Sequence, residues 1–209
     1  MDLQRTGLSA ASEADVAARL ALEPSAQHVP RFFTLLSRGA YVRIETGHTL
    51  RELVCEQFQI SPSYLEKEIK ILFLNSSPVD DLDTAFIGAG ATLALSGAMP
   101  GLVGAAMRRD GLSSMRSGIT YREGTSEHAR GPGVIFLKLF NKVMEDLAET
   151  FLRRSVYVEA EFLADYLGRI SPGLWDNCRR ITQNGEVVAK RALFDFLASR
   201  QGLVRFSIE

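Results

Sequence analysis

The sequence predicts an α+β fold, in which a mixed β-sheet with one packed helix is followed by a mainly helical C-terminal region. Three observations carry this. Short runs that alternate apolar and polar residues, bounded by turn residues, cluster between residues 29 and 104. One helix signature lies among them: Thr49, then Glu52 three residues on, with Leu50, Leu53, Val54 and Phe58 on one face. Beyond residue 105 the apolar residues recur at three and four instead, as in Leu137, Phe140, Val143, Met144, Leu147 and Phe151. The chain therefore reads as an N-terminal helical arm (1–28), a sheet-forming region (29–104) and a mainly helical extension (105–209).

The elements follow in order. Residues Ser12 to Leu22 read as a short helix, capped by Ser12 and closed by Pro24. Phe32 to Leu36 and Ala40 to Ile44 flank Ser37-Arg38-Gly39 and predict a hairpin, with Gly39 free to take positive φ. After the helix at Thr49 come a strand (Ile69 to Leu74), a turn (Asn75 to Pro78) and a last strand (Thr92 to Leu95). A polar, turn-rich stretch leads to a further strand at Gly118 to Arg122. Three helices are then expected: one within "GVIFLKLFNKVMEDLAETFLRRS", one in "EAEFLADYLGRISPG" and one in "AKRALFDFLASRQG", the last stopped by Gly202. "LVRFSIE" reads as a terminal strand able to join a sheet edge. No internal repeat is visible.

Composition narrows the class. Apolar residues make up 46% and charged residues 23%, a globular balance that excludes a disordered chain. A net charge of −1 gives no overall pull toward nucleic acid or anionic membrane, so neither is an expected partner. No signal-peptide core opens the chain, and the weakly charged stretch from Asp83 to Met107 is broken by glycines, so a soluble cytoplasmic protein is expected. Cys55 and Cys178 stand far apart and read as reduced thiols, and three histidines without cysteine company do not make a zinc site.

Chemistry-bearing patterns are few. Asp80, Asp81 and Asp83 lack the spacing of a calcium loop and read as turn-setting carboxylates. Neither a Ser/His/Asp set nor a P-loop can be assembled, so no catalytic residue, metal or cofactor is assigned. Arg108, Arg109, Arg116 and Arg130, with Arg122 nearby, would form a basic patch for a small anion or an acidic partner surface if their loop folds compactly. Aromatic interleaving is too sparse there for a nucleic-acid platform.

Residues 29–101 resemble a β-grasp (ubiquitin-like) domain, especially the small sulfur-carrier proteins of molybdopterin and thiamin synthesis. The resemblance rests on "TLRELV" opening the helix, "ILFLNSSPVDDLD" at the central strand and turn, and "IGAGATLALSGAMPG" at the last strand and exit. Gly90-Ala91 stands where the carriers have a glycine-acid turn. The carriers end in Gly-Gly just past the last strand, and that terminal carboxylate is adenylated. Here the thin exit segment, with Gly97, Met99, Pro100, Gly101 and Gly104, is followed by a further hundred residues or so. The resemblance thus implies a non-catalytic β-grasp binding or scaffold protein acting through protein–protein contacts, with a link to sulfur or molybdenum-cofactor metabolism. It leaves two alternatives: a carrier precursor cut after Gly101 or Gly104, and a small-anion-binding protein or enzyme with an arginine-lined site between the two halves. The partners expected are another protein or a second copy of the chain.

Overall fold

The structure is a computed structural model and describes residues 16–109, 120–121, 129–170 and 172–209. It is α+β, with one mixed sheet of ten strands. The strands are β1 (Val16–Pro24), β2 (Ala40–Thr46), β3 (Ile71–Leu74), β4 (Ser77–Pro78), β5 (Thr92–Ser96), β6 (Gly131–Phe140), β7 (Val156–Glu159), β8 (Cys178–Gln183), β9 (Glu186–Val187) and β10 (Leu203–Ile208). The helices are α1 (Phe33–Arg38), α2 (Leu50–Glu52), α3 (Pro62–Lys67), α4 (Gly101–Met107), α5 (Asn141–Arg154), α6 (Ala160–Arg169), α7 (Pro172–Asp176) and α8 (Lys190–Ala198). A 3-10 segment (Ala26–Phe32) leads into α1, and a π-helical turn (Leu53–Gln57) extends α2.

Across the sheet the order is β4-β3-β5-β6-β2-β7-β10-β1-β8-β9. From either outer edge to the middle, the pairing runs antiparallel, antiparallel, parallel, antiparallel. The same five-strand pattern therefore occurs twice, back to back, joined where Tyr41 of β2 pairs with Tyr157 of β7. Each half has a helix directly or shortly after its inner strand and a tight outer hairpin. Positive φ at Asn75-Ser76 turns one hairpin, and at Asn184-Gly185 the other. The halves differ in connection: β5 follows β4 along the chain, whereas its counterpart β1 comes from residues 16–24.

This architecture overturns the resemblance. A β-grasp is a small sheet with one helix, and here ten strands and eight helices occur among the described residues, the strands in a single sheet. Residues 105–209, expected to be mainly helical, contribute five strands, β6 to β10. The expected hairpin of residues 32–44 does not form. Phe32, Leu35 and Leu36 are fully buried at helical spacing in the 3-10 segment and α1, and β2 pairs instead with β6 over seven residues. Residues 16–22, expected to be helical, are strand β1, which lies between β10 and β8 with Leu20 and Leu22 buried.

Leu137 and Phe140, placed above in a helix, lie on β6, where Ile135, Leu137 and Leu139 are buried at period two. The helix starts only at Asn141, with positive φ, and buries Val143, Ala148, Phe151 and Leu152. "LVRFSIE" is strand β10, set in the interior of the sheet between β7 and β1 rather than at an edge. The helix at Thr49 forms as expected, with a full capping box: the Thr49 hydroxyl accepts from the Glu52 amide and Glu52 accepts from the Thr49 amide. The strand expected at Gly118 to Arg122 lies largely outside the described residues.

The main core lies on one face of the sheet. Alternate residues of the strands, among them Val42, Leu72, Leu93, Leu137, Val158, Leu22 and Phe206, meet buried side chains of α1, α3, α5, α6 and α8 there. The other face carries a second, smaller cluster: Tyr41, Val134, Tyr157 and Leu203, with Phe136 against it.

α5 is tied to α3 across the core edge. The Tyr64 hydroxyl donates to Asp146 at 2.8 Å, and the Lys142 ammonium donates to the same carboxylate at 2.8 Å. Lys142, and after it Tyr64, hold the Asp146 carboxyl below its usual range. Burial, with Asp146 second, pushes the Tyr64 phenol up. A depressed carboxyl stabilises the fold above its unfolded value and loses that contribution as pH falls through the folded value; a raised phenol loses its contribution as pH rises through the folded one. Chemical denaturation from pH 7 to pH 3 is therefore expected to show the stability gap between wild type and Asp146→Asn shrinking on acidification.

Gly39 sits between α1 and β2 at φ +112°, and a Cβ there would fall on the Phe136 ring. Gly39→Ala is expected to cost roughly 3 kcal/mol, from backbone strain and overpacking together. A second change, Phe136→Leu, should return only the overpacking part, read as a partial recovery of the urea midpoint.

Candidate functional site

Where the two halves meet, the face turned away from the main core holds a cavity of about 420 Å³. β2, β6 and β7 lie side by side there, so period-two alternation aims Tyr41, Phe136 and Tyr157 at this face. The Tyr41 and Phe136 rings lie 4.8 Å apart and tilted by 55°. Gly39 lets the Phe136 ring lie against bare backbone. Phe140 and Phe162 of α6 complete the aromatic lining.

Cations rim this floor. The Arg43 guanidinium lies 5.0 Å from the Tyr157 ring centre and the Lys138 ammonium 5.5 Å from that of Phe136, both within cation–π range. Arg38, at the end of α1, lines the cavity as well. Among the described residues no carboxylate pairs with Arg38, Arg43 or Lys138. Glu159 is the single acid on the lining.

A second cavity, about 570 Å³, opens between α1 and α6 and shares Ser37, Arg38 and Phe162 with the first. Tyr166 holds its walls together. Its hydroxyl donates to the Arg31 carbonyl at 2.6 Å and accepts from the Thr34 hydroxyl, 2.9 Å away. Burial pushes the Tyr166 phenol up, so its proton stays in this bond at neutral pH.

The arginines singled out in the sequence have other places. Arg109 caps the end of α3: its guanidinium donates to the Leu65 and Ile69 carbonyls at 2.9 Å each, and its amide donates to Lys70 at 3.0 Å. Arg108 is half-buried just past α4. Arg130 is exposed before β6, near enough to Glu52 to help hold that carboxyl down, after the Thr49 hydrogen bonds. Arg116 and Arg122 lie outside the described residues, and Arg109 and Arg130 stand on separate elements.

The exit segment is structured. Gly97 is buried after β5, Pro100 immediately precedes α4, and Gly101 and Gly104 lie within that helix. Gly104 backs onto the Met99 carbonyl so closely that a Cβ would strike it.

Asp81 sets a turn by accepting from the Asp83 amide, and Asp83 pairs with Arg51 at 2.7 Å. No group of three metal-ligating side chains occurs among the described residues. Burial pushes both the Cys55 and Cys178 thiols up, away from the thiolate that reactivity needs. No described helix is long and apolar enough to cross a membrane.

The aromatic site was missed in the sequence because its parts are spread over residues 38, 41, 136, 157 and 162. The alternation Tyr41, Arg43, Glu45 was the one signal of a partly polar second face. No family model, no curated protein and no solved structure matches this chain.

Tyr166→Phe removes the proton that joins the two walls and leaves the Arg31 carbonyl without its donor. A loss of about 1–3 kcal/mol in denaturant unfolding is expected.

Proposed function

We propose that this chain is a non-catalytic binding protein acting through protein–protein contacts, and that its partner docks at the aromatic cavity between the two halves. One observation carries the reading: a floor of Tyr41, Phe136 and Tyr157 is lined by Arg38 and Lys138, with Arg43 stacked over the Tyr157 ring beside it, cations that no described carboxylate pairs with. Aromatic floors with polar rims are the anatomy of binding hot spots. The size of the cavity suits one large side chain, and the two lining cations, Arg38 and Lys138, against Glu159 favour acidic neighbours around it. The partner is thus a protein segment that presents an aromatic or aliphatic side chain flanked by Asp or Glu.

Peptide-display selection on the full chain tests this. Wild type is expected to enrich acidic peptides with one large apolar residue, and Lys138→Glu, at a half-exposed position, to lower their binding at least tenfold with an unchanged melting temperature. Equal enrichment on both proteins would remove the cavity from the function. A dimer in sedimentation that Lys138→Glu dissociates would make a second copy the occupant and overturn the partner reading.

A further inference from the structure

The groove between α1 and α6 has a charge that the aromatic cavity alone does not explain. Arg31, Arg38 and Arg169 line it, against the single carboxylate of Asp165. Asp165 is already engaged: Arg169, one turn further along α6, lies 2.8 Å from it. No carboxylate pairs with Arg31 or Arg38 among the described residues. Two guanidinium charges therefore remain uncompensated in one cavity.

The hydroxyls of the groove are committed elsewhere. Ser37 donates to the Thr34 carbonyl, Tyr166 to the Arg31 carbonyl, and Thr34 to Tyr166. Recognition is left to the guanidinium groups. A carboxylate would neutralise one of the two, whereas a phosphate monoester carries about −1.5 to −2 at pH 7 and presents oxygens in the geometry a guanidinium fork matches. Arg38 faces both cavities, so a phosphate held there lies beside the aromatic floor.

We infer that the α1–α6 groove binds a phosphate monoester whose planar ring occupies the aromatic cavity. This rests on the reading of that cavity as the docking site. The chemistry is shared by a phosphotyrosyl side chain of a partner protein and by a free aromatic phosphate. Because the contacts are guanidinium to phosphate, affinity falls steeply with salt.

Titration calorimetry on the full chain at low salt decides, with inorganic phosphate, phenyl phosphate, adenosine monophosphate, and an acidic phosphotyrosine peptide beside its unphosphorylated twin. At least one ring-bearing phosphate should bind ten or more times tighter than inorganic phosphate. Arg31→Gln and Arg38→Gln should each remove at least tenfold of that, while Arg191→Gln, exposed on α8, changes nothing. The tightest ligand tells the source: the phosphopeptide a partner protein, phenyl phosphate or the nucleotide a small molecule. Ligands no tighter than inorganic phosphate, or affinities untouched by Arg31→Gln and Arg38→Gln, overturn the inference. If the peptide and its unphosphorylated twin bind equally, and Lys138→Glu abolishes both, the phosphate site falls while the docking reading stands.

Discussion

The pairing of β2 with β6 is the constraint on which the rest depends. It joins residues 97 to 85 positions apart over a seven-residue register, from Ala40 against Leu137 to Thr46 against Gly131. On one face this register aligns Ala40 with Leu137 and Val42 with Ile135 in the main core. On the other it brings Tyr41 beside Phe136. A slip by one residue would exchange the two faces and place tyrosine in the core. The Thr46 hydroxyl, within 3.0 Å of the Ala129 and Gly131 carbonyls, fixes the far end.

The aromatic cavity is a by-product of the repeated pairing pattern. Two five-strand units of like pairing meet through their inner strands, and an inner strand of an isolated unit would be an exposed edge. Joining them at one residue pair sets Tyr41 and Tyr157, at corresponding strands of the two units, side by side. Among the described residues α1, α3, α5, α6 and α8 bury side chains in the main core, and the seam on the other face carries aromatics and cations. The site is thus assembled from both units, and neither would hold it alone.

Some of this was legible in the residues. The Thr49–Glu52 capping box, the Asn75 turn and the alternation at β5 are local signals, and each names its element correctly. The long-range signals failed for physical reasons. Phe32 to Leu36 is too short to separate period two from period three or four, and burial of Phe32, Leu35 and Leu36 decided for helix. β6 has apolar or bulky residues on both faces, which hides its alternation and lets the apolar spacing of α5 run on backward through Leu137 and Phe140. Asn184-Gly185, both at positive φ, is a local hairpin signal between β8 and β9. The duplicated pairing leaves no trace in sequence because sheet order depends on which strands meet rather than on which residues repeat.

The position of β1 bears on how the chain is made. This strand is the earliest described segment to be synthesised, yet its neighbours β8 and β10 are among the last. While the ribosome adds the intervening residues, Leu20 and Leu22 have no sheet to enter, and contacts of this sequence separation close slowly. A nascent chain therefore carries β1 unpaired while residues 25–177 are added, and the strand can enter its place in the sheet only once residues 178–208 have emerged.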